Sequence, residues 1–169
     1  MTQLFTAWSP LISAFVVALG VGLLVGAERE RNKGSGPTRG AAGVRTFVLV
    51  ALLGVIAASV NMSALVAVLG VAVTALAVVS YWRTRDGDPG LTTEIALLVT
   101  YVLGVMAVPY PQFAAALGVL VALLLASRSW LHELIKRRLS DREVLDGMFL
   151  AAAALIVLPL LPDHALDPY

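Results

Sequence analysis

The chain has 169 residues, 59% hydrophobic and only 14% charged, with a mean hydropathy of +0.89 and a formal net charge of +1. Soluble domains of this length carry about a quarter of their residues as charges, so this is a membrane composition. Cysteine is absent, which excludes disulfides, thiolate metal sites and a cysteine nucleophile; two histidines, His132 and His164, are too few for a His-rich metal centre.

Ser9-Pro10 is a helix-start signal, a capping side chain followed by proline at the first helical position. No basic segment precedes it, so the N-terminus does not read as a cleaved signal peptide. Residues 10–27 carry no charge, and their number is close to the ~20 needed to span a bilayer. Within them Ala14, Ala18, Gly22 and Gly26 form a stripe of small residues. Such a stripe lets another backbone approach closely, either a neighbouring helix of the same chain or a second copy in a homodimer. Gly43 opens a second apolar segment, 43–60. Asn61-Met62-Ser63 turns it, with Ser63 as a cap, into a third at 64–82. A polar loop at 83–90 leads to a fourth segment, 91–108, which ends at Pro109-Tyr110-Pro111.

The fifth helix is predicted over 111–139, apolar to about Leu131 and then continuing outside the bilayer. It repeats the small-residue run with Ala114, Gly118, Ala122 and Ala126. Ser140-Asp141-Arg142-Glu143 has capping-box spacing and opens a sixth helix over 141–161. The two three-residue turns force their flanking helices to lie antiparallel. The expected architecture is therefore all-α and polytopic: one domain over 1–169 with about six transmembrane helices.

Charge gives the orientation. Every Lys and Arg falls in the loops 28–42, 83–90 and 132–146 or at Arg45 and Arg128, all on one side of a six-crossing chain. The positive-inside rule puts those loops in the cytoplasm and both termini outside. Trp8, Trp82 and Trp130 fall at segment ends, where amphipathic rings favour the interface; Tyr101 lies mid-helix, placed to face a neighbour.

The junction of the first two helices holds the residues most suggestive of function. Glu28 sits at a helix C-terminus and Arg45 at a helix N-terminus, each on the wrong end of its own dipole. Pairing Glu28 or Glu30 with Arg45 relieves both, while Arg29 and Arg31 are conventionally placed to face lipid phosphate. Glu94, after Leu91-Thr92-Thr93, is explained by the positive end of the fourth helix with either threonine as cap. The alternative is that Glu94 joins Glu28 and Arg45 in a cytoplasmic-side polar pocket, since acids just inside a bilayer mark ion or proton paths. Glu143 and Asp146 fit capping, and Lys136-Arg137-Arg138 fits an anionic-lipid patch. GVGLLVG lies within an apolar helix without a preceding strand, and GSGPTRG lacks the closing Gly-Lys-Ser/Thr, so neither is a nucleotide motif. No nucleic-acid surface and no catalytic constellation is present, and an enzyme is not expected.

GLLVGAERER (22–31), AAGVRT (41–46) and GLTTE (90–94) together resemble the MgtC/SapB family of bacterial inner-membrane proteins, whose membrane domain carries G-x-E-R-E, A-G-L-R-T and G-L-T-T runs in this order. The matching positions here are Gly22, Gly26, Glu28, Arg29, Glu30, Gly43, Arg45, Thr46, Leu91, Thr92 and Thr93. Two departures stand out. VVSYWRTRDGDP replaces a glycine-rich helix before G-L-T-T, and the alternating, strand-like C-terminal domain of the short members is missing. In this the chain resembles the branch with a second membrane domain after the MgtC-like half, and reads as a fragment or truncation of such a protein. The resemblance implies a regulatory role in magnesium homeostasis and stress adaptation. It would act by modulating other membrane machinery, such as the proton-driven ATP synthase, with a membrane-protein partner or a second copy.

The residues themselves leave open an ion or small-solute transporter through Glu28, Arg45 and Glu94, and a lipid- or phosphate-handling enzyme as a weaker third reading. No cofactor is expected. A magnesium site would need several oxygen ligands, for which the nearby acids are Glu28, Glu30, Asp86, Asp88 and Glu94.

Overall fold

A computed structural model describes residues 2–31, 42–84, 91–133 and 141–157. Among them are seven helices: α1 Thr2–Arg31, α2 Val44–Ser59, α3 Ser63–Thr84, α4 Thr92–Met106, α5 Pro111–Ala126, the short α6 Arg128–Glu133, and α7 Asp141–Val157. The order and both short turns follow the sequence reading. Asn61 takes the left-handed conformation (φ 57°) that lets the chain reverse between α2 and α3. Between α4 and α5 the Tyr110 N–H donates to the Met106 carbonyl at 2.8 Å, and Pro111 opens α5.

Two helix bounds are corrected. The first helix starts at Thr2 and not at Ser9-Pro10; Pro10 lies inside it, and Ser13 Oγ donates to the Pro10 carbonyl at 2.7 Å. Proline removes a single donor there, and the helix passes through it. The fifth helix does not run from 111 to 139, because α5 stops at Ala126 and Ser127 forms a turn before α6. The chain divides at this turn into two compact units, Met1–Ala126 and Ser127–Tyr169. Residues 134–140, including Ser140 of the proposed capping box and the basic Lys136-Arg137-Arg138, lie outside the described residues, as do the loops 32–41 and 85–90 and the end of the predicted sixth helix.

In the first unit α1 packs against α2, α4 and α5, and α4 also packs against α2 and α3. The core is made of small and β-branched side chains. Ala14, Ala18, Val25, Ala51, Val55, Ala107 and Ala114 are at most 1% exposed, and Phe47 is the largest fully buried residue. Large apolar side chains point the other way. Leu49, Val71, Leu76 and Leu120 are 66%, 69%, 71% and 60% exposed. A core rich in alanine and glycine with many large apolar side chains turned outward is the pattern of helices packed in lipid, where backbone proximity drives association.

Backbone contact is closest at two seams. A Cβ added at Gly22 would lie 2.7 Å from Val48 Cα, and one at Gly26 would lie 2.8 Å from Val44 Cα, so α1 and α2 run antiparallel in backbone contact. At the second seam Gly54 of α2 faces the Tyr101 carbonyl of α4, and Gly104 of α4 faces the Ala51 carbonyl of α2. These two helices run parallel, each opening a notch for the other's carbonyl. Tyr101, nearly buried, donates its hydroxyl hydrogen to the Val66 carbonyl at 2.7 Å and so ties α4 to α3. The small run on α5 is turned inward at Ala114, Gly118 and Ala122, with Gly118 against Val21 of α1; Ala126 is exposed.

Candidate functional site: the charged end of the bundle

The antiparallel seam carries the last turn of α1 past the first turn of α2, since Gly26 lies against Val44. Gly43 is the N-cap of α2, in an extended conformation (φ −124°, ψ −173°) open to any residue. Glu28 is 8% exposed and Arg29 7%, while Glu30 is half-buried. All three take part in polar interactions. The unfavourable position of Glu28 at the end of its own helix is offset by the neighbouring helix, whose positive N-terminal end lies alongside.

Arg45 plays no part in this. It is exposed, and no ion pair joins it to Glu28 or Glu30. The cause is helical phase. Phe47, Ala51, Gly54 and Val55 form the buried face of α2, and Arg45 lies with the exposed Leu49 and Ile56 on the opposite face. A long cation at a helix end on that face extends its head toward water while its stem covers apolar surface. Replacing Arg45 by alanine is therefore expected to shift stability by no more than about 0.5 kcal/mol. Arg45→Glu should not be rescued by Glu28→Arg. Unfolding of the two single variants and the double variant in detergent measures both.

Burial of Arg29, placed from sequence toward lipid phosphate, is the feature missed. Extending the small-residue stripe finds it, because Ala18, Gly22, Val25 and Arg29 fall on one helical face and all are buried. Thr46 is half-buried on α2.

Glu94 stands in the first turn of α4, as the dipole argument requires, but neither Thr92 nor Thr93 caps that helix. Its N-cap is Leu91, with no side-chain hydrogen bond. Thr92 is exposed and Thr93 half-buried. The Oε2 atom of Glu94 is buried and lacks a hydrogen-bond partner among the described residues. Glu94 borders a cavity of about 170 Å³ lined by residues of α3 and α4 together with Leu91, and by neither Glu28 nor Arg45. Among the described residues no three Asp, Glu or His side chains converge, and Asp86 and Asp88 lie outside them.

Helices joined at glycines, leucines turned outward and a charged cluster closing one end define a helical membrane domain. A model of the MgtC family matches residues 15–134, from within α1 through α6. The chain belongs to the MgtC family. No curated protein and no solved structure matches it.

Proposed function

We propose that the chain is a multi-pass protein of the bacterial inner membrane, a non-enzymatic regulator linked to magnesium homeostasis and stress adaptation. In this proposal the helices make six crossings, with both termini outside and the basic loops in the cytoplasm. Residues 10–31 and 63–83 are long and apolar enough to cross a membrane. The helices α2, α4 and α5, of 16, 15 and 16 residues, are shorter. They rise about 24 Å, against a hydrocarbon core of about 30 Å, and cross beside α1 as a packed group with a locally thinned bilayer.

One observation carries the regulatory role. Gly22 and Gly26, two of the residues shared with the family signature, form a close backbone seam against α2, which supports a role through helix contact. Arg29 and Glu28 are fastened at its end. The protein then acts by helix contact with a membrane partner or a second copy. A homodimer would not use the α1 stripe, which α2 fills. Photo-crosslinkers at Val71 and Leu76, exposed on α3, are expected to capture a protein at a defined mass in native membranes. A second role, as transporter, is favoured by the unmatched Glu94 oxygen. Selective ion or solute flux in liposomes, abolished by Glu94→Gln, overturns the regulatory role in its favour.

A further inference from the structure

The helix α3 is held on α4 unevenly along its length. Near its start a Cβ added at Gly70 would lie 3.3 Å from the Tyr101 ring, and the Tyr101 hydroxyl donates to the Val66 carbonyl at 2.7 Å. Further on, the cavity of about 170 Å³ separates the two helices, with Thr74, Ala77, Val78 and Tyr81 on one side and Ile95 and Leu98 on the other. Its surface is almost wholly apolar. The Thr74 hydroxyl hydrogen is committed to the Gly70 carbonyl at 2.8 Å, and the buried Oε2 of Glu94 is closed off from solvent. Val78 and Ile95, 43% and 56% exposed, stand at the mouth, so the cavity opens on the outer surface of the bundle.

These features select the occupant. Water needs about two to four polar partners to settle in a cavity, and these walls offer almost none. A charged or strongly polar ligand would lose its hydration without compensation. A helix, about 10 Å across, is too wide. An apolar cavity of about 150 Å³ takes up a small hydrocarbon such as benzene, so this one is of a size to do the same. For a mouth that opens on the lipid-facing surface, the hydrocarbon at hand is an acyl chain. Its depth agrees. Trp82 follows Val78 by one turn on the same side of α3, is 69% exposed, and stands where aromatic rings mark the headgroup level. Four residues of helix put the mouth about 6 Å beneath that level, where acyl chains begin.

We propose that the recess between α3 and α4 binds the first part of a phospholipid acyl chain, which packs as a wedge between the two helices. The proposal rests on the membrane placement given above and not on the regulatory role.

The test uses the full chain in liposomes containing a phosphatidylcholine with a diazirine near the carbonyl end of one acyl chain. After irradiation, mass spectrometry maps the labelled residues. Labelling of the half-buried Leu98 is expected to exceed severalfold that of Leu76, which is 71% exposed, lies one position from Ala77 and does not line the cavity. Ala77→Leu fills one wall and should bring Leu98 down to the level of Leu76 or below. Its helical signal and unfolding midpoint report whether it is folded, and Thr74→Leu fills the same space from one turn away. In delipidated micelles, added phosphatidylcholine should raise the unfolding midpoint of the wild type more than that of the filled variant. Labelling that follows exposure alone, with Leu76 above Leu98, overturns the proposal, as does unchanged labelling of Leu98 in a folded filled variant. Absence of label at Leu76 as well overturns the membrane placement beneath it.

Discussion

Gly104→Leu is expected to abolish the folded bundle, with a loss of about 3 kcal/mol or more. At this position even a methyl group would run into the Ala51 carbonyl, and the opposing Gly54 is closed in the same way by the Tyr101 carbonyl. Both obstacles are backbone, so no rotamer change makes room; α2 and α4 must separate. Their separation uncovers Ala51, Val55 and Ala107, all fully buried, and pulls at the bond from Tyr101 to Val66. The overlap is mutual, so Gly54→Leu should do comparable damage. Reversible unfolding in mixed micelles, followed by helical signal, measures it.

The second large effect belongs to α1. Gly26→Leu places a side chain where its first carbon would lie 2.8 Å from Val44 Cα and 3.1 Å from Phe47 Cβ. We expect a loss of about 2–3 kcal/mol and opening of the charged end, where Glu28 depends on the first turn of α2. Gly20 is the internal control. It lies in the same helix with nothing within 4 Å of an added Cβ, so Gly20→Leu should leave stability within about 1 kcal/mol of wild type. A large loss at Gly26 with none at Gly20 separates seam closure from a general effect of leucine in this helix.

Much of this was legible in the residues. Uninterrupted apolar runs, Pro111 at the start of α5 and two turns too short for any other geometry give the order and direction of the first five helices. The stripe Ala14-Ala18-Gly22-Gly26 announces a close neighbour. A stripe alone does not say which backbone fills it, and only the fold shows that α2 does. The reciprocal notch of Gly54 and Gly104 was illegible because each glycine is isolated in its own helix and gains meaning only when α2 and α4 run in the same direction. The break at Ser127 leaves no signal, since Arg128–Glu133 is itself helical and continues the pattern.

At the charged end the sequence argument treated electrostatics one helix at a time. It paired Glu28 with Arg45 because each opposed its own dipole, whereas helical phase sends Arg45 outward and an adjacent helix end supports Glu28. Glu94 was placed correctly in its first turn, but a cavity formed with α3 depends on a pairing that no local pattern encodes.

Orientation is the claim from which the rest follows, and a chain without cysteine is suited to testing it. Single cysteines at Asn61 and Tyr110, both exposed in the short turns, and at Arg45 and Arg83, exposed at the opposite ends of α2 and α3, sample the two faces. With a membrane-impermeant maleimide on intact spheroplasts, Asn61→Cys and Tyr110→Cys should label at once. Arg45→Cys and Arg83→Cys should label only after the membrane is opened. Labelling of Arg83→Cys in sealed spheroplasts, or protection of Asn61→Cys until lysis, would contradict six crossings with the basic loops in the cytoplasm.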